Sequence, residues 1–193
     1  MSKSAVTTAP IHSLLANRWS TRAFDINAEI STLELTSLME AARWAPSANN
    51  GQPWRFAVAK RSDALFAEIT QALAGFNKEW APTAAAYVVA ITETEDSAGS
   101  PRKSAEFDLG LAVSALTTQA TADGWSTHQM GGFSASAIRE LLKLEPKFKP
   151  VVVIAVGKHS DTIEISEALQ ERENAPRTRL ELNEIVLNPE ALA

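Results

Sequence analysis

A chain of 193 residues, 45% apolar and 21% charged, has the length and composition of a folded domain and too much apolar content for wholesale disorder. Its formal charge of −5 excludes a general nucleic-acid binder, which needs a basic face to replace phosphate counterions. The lack of cysteine excludes disulfides, thiolate metal sites, iron–sulfur clusters and cysteine nucleophiles. No window reaches the run of about 18 apolar residues that a membrane span needs, and residues 1–11 lack a signal-peptide core, so a cytoplasmic protein without membrane contact is expected.

No repeat, low-complexity tract or linker divides the chain, so residues 1–193 read as a single domain. The first clear helix is predicted over 32–43. Ser31 and Glu34 form a capping box, and Leu35, Leu38, Met39 and Ala42 make an apolar stripe. Pro46 ends that helix, and a turn-rich stretch over 47–53 leads into a strand at 54–59. A second helix follows over 63–74, then a short β-branched strand over 86–92 and a polar loop over 93–101.

Ser100 and Pro101 read as the N-cap and first residue of a long helix that Gly124 stops. Phe107, Leu109, Leu111, Val113, Leu116 and Ala120 make it apolar nearly all round, so it must be buried within one subunit or at a subunit interface. A capped helix over 134–144 and a continuous apolar strand over 151–156 follow. The last 30 residues are polar and acidic, with a short strand expected at 184–187. Helices and strands mix without strict βαβ alternation, which favours an α+β fold, a sheet covered by helices.

His12, His128 and His159 lack metal-ligand spacing, and no metal site is expected. There is no G-x-S-x-G elbow, no G-x-G-x-x-G fingerprint and no P-loop. Three polar clusters in apolar context remain: residues 17–22, residues 45–54 and residues 128–133. Each reads as a loop whose small residues let backbone amides approach a ligand, and each taken singly is equally ordinary turn chemistry. The arginines Arg18 and Arg22 near one end, with Arg172, Arg177 and Arg179 near the other, are either solvated surface charge or a site for one small anion.

The order of these clusters resembles the FMN-dependent nitroreductase family. Its R-x-S-x-R motif is similar to Arg18-Trp19-Ser20-Thr21-Arg22, and its P-S-S-x-N-x-Q-P-W motif to Pro46-Ser47-Ala48-Asn49-Asn50-Gly51-Gln52-Pro53-Trp54. A glycine-containing loop matches Gln129-Met130-Gly131-Gly132-Phe133, and a C-terminal basic pair matches Arg177-Thr178-Arg179. Trp19 stands where that family commonly has arginine, and Ala48 where it has serine. Asn77 matches an asparagine that meets the flavin pyrimidine in relatives.

The resemblance implies an FMN-binding α+β sandwich with a mostly antiparallel central sheet, forming a homodimer with two flavins at its interface. It implies that Arg18, Arg177 and Arg179 neutralise the FMN phosphate, and that Ser20 and Arg22 serve the ribityl and pyrimidine side. Pro46, Ser47, Ala48 and Asn50 would pack on the flavin from the partner subunit, with Met130, Gly131 and Gly132 beside its N5 region. NADH or NADPH would supply hydride, and a small nitroaromatic, quinone or similar acceptor would take it, with the cofactor carrying the difficult chemistry. Three other readings stay open at this point: a same-family alkene reductase or dehalogenase, a flavin-sequestering protein without turnover, and an acidic interaction module without cofactor.

Overall fold

Four segments rich in apolar and β-branched residues pair into one antiparallel sheet in the computed structural model, which describes residues 3–192. They are β1 (Trp54–Lys60), β2 (Ala86–Glu93), β3 (Ser126–Met130) and β4 (Phe148–Gly157), in the order β1-β2-β4-β3. The central strand β2 is buried at every position. Alternation along a strand sends Tyr87, Val89 and Ile91 to one face and Ala86, Val88 and Ala90 to the other, so both faces need cover.

On the first face, α3 (Ala64–Ala72), α4 (Asn77–Trp80) and α6 (Ala135–Leu141) bring Phe66, Ile69, Trp80 and Ile138 against Tyr87, Val89, Val153 and Ala155. On the second, α2 (Thr32–Arg43) and α5 (Ala105–Ala122) bring Leu35, Leu38, Leu109, Ala112 and Leu116 against Val88, Ala90, Ile154 and Val156. Three short helices complete the described chain: α1 (Ser13–Asn17), α7 (Glu167–Asn174) and α8 (Leu182–Ile185). The α+β expectation, a sheet covered by helices, is borne out. Among the described residues no helix is long and apolar enough to cross a membrane.

Several expected bounds are corrected. Helix α5 starts at Ala105, not at Pro101, because the preceding loop makes its own bonds. Asp96 Oδ1 accepts from the Ala98 and Ser100 amides, Arg102 N–H donates to the Thr94 carbonyl, and Glu95 bridges Pro101. Within one chain α5 leaves Phe107, Gly110 and Ser114 exposed, so of the two expected ways of burying this helix the single subunit does not supply full cover. The strand expected at 184–187 is instead the helix α8, capped by Glu181 and Glu184. The 128–133 cluster is not wholly loop, since His128, Gln129 and Met130 lie in β3.

Candidate functional site

Residues 18–22 leave α1 in extended backbone and are anchored at their far end by strand-like pairing. Asp25 N–H donates to the Lys158 carbonyl at 2.8 Å and Ser160 N–H to the Ala23 carbonyl at 3.0 Å. The approach is close enough that a Cβ on Gly157 would sit 2.5 Å from Phe24 Cδ1, which explains the glycine that closes β4.

Arg18 donates to Ser20 Oγ at 3.2 Å, and its guanidinium lies near those of Arg177 and Arg179. Arg177 donates to the carbonyls of Lys3 and Ala16, the latter at 2.6 Å, so the two chain ends are tied together here. None of the three arginines forms an ion pair with a carboxylate among the described residues. Burial, then the neighbouring Arg177 and Arg179, push the Arg18 pKa below the ordinary guanidinium value. Burial and Arg179 do the same to Arg177. Guanidinium stays charged regardless, so the cluster is a concentration of positive charge that an anion would relieve. A phosphate group fits this donor set.

Behind this segment lies a polar network that sequence reasoning missed. Thr21 is fully buried, and its hydroxyl donates to Glu173 Oε1 at 2.5 Å and accepts from Ala23 N–H at 3.0 Å. Because that hydroxyl proton is committed to Glu173, the 2.9 Å contact with His159 requires Nδ1–H of His159 to donate. Glu173 Oε2 accepts from the Arg22 N–H at 2.9 Å. His128 Nδ1–H donates to the Thr21 carbonyl at 2.9 Å. Burial, helped by Arg22 and Arg18, lowers the His128 pKa, against the Thr21 bond and Glu173. Trp19 packs edge-on against His159, with Lys3 over its ring, so it serves internal packing.

Asn77 and the 131–132 loop do come together. Asn77 Nδ2 and Ala74 N–H both donate to the Gly132 carbonyl, at 3.1 and 2.9 Å. A Cβ on Gly132 would meet Asn77 Nδ2 at 3.0 Å, whereas Gly131 has no atom within 4 Å of its Cβ position. Gly131 therefore offers open backbone to a ligand. Met130 is 2% exposed as a whole residue and lies in the core, paired with Val153 of β4.

The 46–54 motif is built separately. Asn49, Asn50 and Gln52 have left-handed φ of 51°, 55° and 45° on either side of a right-handed Gly51, a conformation that the two asparagines tolerate better than most residues. Concentrated backbone strain of this kind is often found at ligand sites. Buried Asp108 of α5 accepts from Ala48 N–H at 3.2 Å and from Ser104 Oγ at 3.1 Å, and Ser47 Oγ accepts from Gln52 N–H at 3.1 Å. Ala48 and Asn50 are exposed, and Pro46 lines an open groove of about 450 Å³ with Leu14, Leu111 and Ala115. Among the described residues, no hydrogen bond or ion pair joins this loop to Arg18, Ser20, Arg22, Gly131 or Gly132 of the same chain.

Comparison with known proteins gives a consistent result. The model of the nitroreductase family matches residues 15–158, well over half of the chain. A solved structure described as an oxidoreductase containing FMN is 32% identical, with a TM-score of 0.89 and coverage of 95% of this chain and 93% of that one. YdgI of Bacillus subtilis (strain 168), provisionally named an NAD(P)H nitroreductase, is 25% identical over 185 residues, covering 77% of this chain and 88% of YdgI. A Lactiplantibacillus plantarum protein named CLA biosynthesis enone reductase is 28% identical over 182 residues, covering 75% of this chain and 83% of its own.

Proposed function

We propose that this chain, which belongs to the nitroreductase family, is an FMN-dependent oxidoreductase that passes hydride from NADH or NADPH to a small acceptor such as a nitroaromatic or a quinone. The observation that carries the reading is the cluster of Arg18, Arg177 and Arg179, three guanidiniums with no carboxylate partner among the described residues. These three would hold the FMN phosphate. Ser20 and Arg22, on the same segment, would serve the ribityl chain and pyrimidine edge. Open backbone at Gly131, with Met130 and Gly132 flanking it and Asn77 bracing the Gly132 carbonyl, would line the isoalloxazine. When bound, FMN supplies the two-electron chemistry, and the protein supplies binding, orientation and a fixed electrostatic environment.

Among the described residues, the strained 46–52 turn has no hydrogen bond to this region in its own chain, and Ala48, Asn49 and Asn50 are exposed. In a homodimer, Pro46, Ser47, Ala48 and Asn50 of one copy would reach the cofactor held by the other. A second reading, reduction of an activated alkene at the same site, is favoured by the likeness to the enone reductase. Turnover of a nitroaromatic, a quinone and an enone side by side separates the two.

The protein should purify yellow and release intact FMN on denaturation. FMN should bind far more tightly than riboflavin, which lacks the phosphate. Arg18→Gln should narrow that gap by roughly ten- to a hundred-fold, the equivalent of a charge-assisted hydrogen bond of about 1.5–3 kcal/mol. Equal affinity for FMN and riboflavin in the wild type would overturn the assignment of the arginine cluster.

A further inference from the structure

Three carboxylates are buried among the described residues: Glu93, Asp108 and Glu173. Two are readily explained. Glu93 is neutralised by Arg55, Arg102 and Lys147, and Asp108 anchors the Ala48 turn to α5. Glu173 is 7% exposed and, among the described residues, has no arginine or lysine ion pair, with His159 Nδ1 standing 3.9 Å from its Oε1. Its oxygens are filled by the Thr21 hydroxyl and the Arg22 amide. Burying a charge costs several kcal/mol unless its partners are well placed. Here both partners belong to the one segment that carries Arg18 and Arg22.

We propose that Glu173 is a positioning residue for the anion-binding segment. It fixes the backbone at Thr21 and Arg22, so that the arginines on either side are held ready before any ligand arrives. The claim about the backbone stands on geometry alone, and its consequence for FMN rests on the function proposed above. Helix α7 lies beyond residues 15–158, the stretch that the family model matches. The same stretch makes two further contacts with the region. Arg172 lies over the Phe76 ring at 4.3 Å, next to Asn77, and Arg177 and Arg179 complete the cluster at Arg18. Thr21 is the relay: its hydroxyl donates to Glu173 and accepts from Ala23 N–H and His159 Nδ1–H, which turns the chain at Arg22.

The test uses Glu173→Gln, which keeps the side-chain shape but leaves one acceptor oxygen for the two donors, the Thr21 hydroxyl and the Arg22 N–H. Hydrogen exchange across residues 19–24 of the flavin-free protein should speed up at least tenfold, while β2 and β4 keep wild-type protection. FMN affinity should fall at least tenfold, and the combined loss in Glu173→Gln with Arg22→Ala should be smaller than the product of the single losses, because one acts through the other. Thr21→Ser, which keeps the hydroxyl, should behave as wild type, and Thr21→Val should resemble Glu173→Gln. Unchanged exchange at 19–24, exchange raised equally across the sheet, or FMN losses that simply multiply would each overturn the proposal. A wild-type protein that takes up no FMN would sink the functional reading, and the exchange measurement would still decide the role of Glu173.

Discussion

An imidazole held neutral by burial records its environment in the pH dependence of stability. The His128 pKa is lowered in the fold, chiefly by burial, so the unfolded chain takes up the proton first as pH falls. Stability from this residue is complete above the ordinary histidine value of about 6.5 and is lost as pH drops below it. Urea midpoints at pH 7.5 and 5.5 should show that loss in the wild type, and His128→Gln should flatten it; an unchanged slope would remove His128 from the account. At this scale the sequence was informative where residues were unusual for their surroundings. Arginines at both ends of an acidic chain suggested a small anion, and the fold places Arg18, Arg177 and Arg179 together. Glu173 gave no such sign, because in the run Glu171-Arg172-Glu173-Asn174 a buried carboxylate reads like any solvated one. Only tertiary pairing with Thr21 and Arg22 distinguishes it.

Elements were legible in proportion to their local signals. Helix α2 spans the expected 32–43 because both halves of its capping box form: Ser31 Oγ accepts from Glu34 N–H at 3.2 Å, and Glu34 Oε2 accepts from Ser31 N–H at 2.8 Å. Ser31→Ala should therefore lower unfolding stability by about 1 kcal/mol, read from urea denaturation, while Glu34→Ala should cost more because Glu34 Oε1 also accepts from Trp125 Nε1. Equal losses would mean that the Trp125 bond contributes nothing. The elements that escaped sequence reading lack an apolar period. Strand β3, Ser126-Thr127-His128-Gln129-Met130, is a polar edge strand defined by its pairing to β4. Helix α7 buries only Leu169 and Glu173. Pro101 reads as a helix start in sequence, yet the bonds of the Asp96 turn place it before the helix.

On the scale of the whole molecule, the sheet satisfies its own two faces and leaves a third surface unsatisfied. The outer side of α5, with Leu111, Ala115 and Ala122, meets Leu14 and Pro46 in an open groove, while Leu33 of α2 and Trp44 at the C-cap of α2 are 79% and 76% exposed. A second copy of the chain would cover this apolar surface, and small residues on α5 would allow close helix approach. Sedimentation should show a dimer at micromolar concentration. Ala115→Glu should give a folded monomer that also loses most of its FMN affinity, since ligand bound only by the assembled state stabilises it by mass action. A monomer that retains FMN would show that the 46–50 turn plays no part in holding it.

The tie between the chain ends, where Arg177 grips the Lys3 and Ala16 carbonyls, also sets an order of events during synthesis. Translation proceeds at about 5–20 residues per second, so the segment with Arg18 leaves the ribosome several seconds before Arg177 is made. The last two guanidiniums of the cluster are made only after all four strands have been synthesised. The full three-arginine cluster therefore cannot form until the C-terminal stretch has been made, and loading with an anionic cofactor would be a late step. A chain cut just after β4 would keep the sequence of every strand and only one of the three guanidiniums.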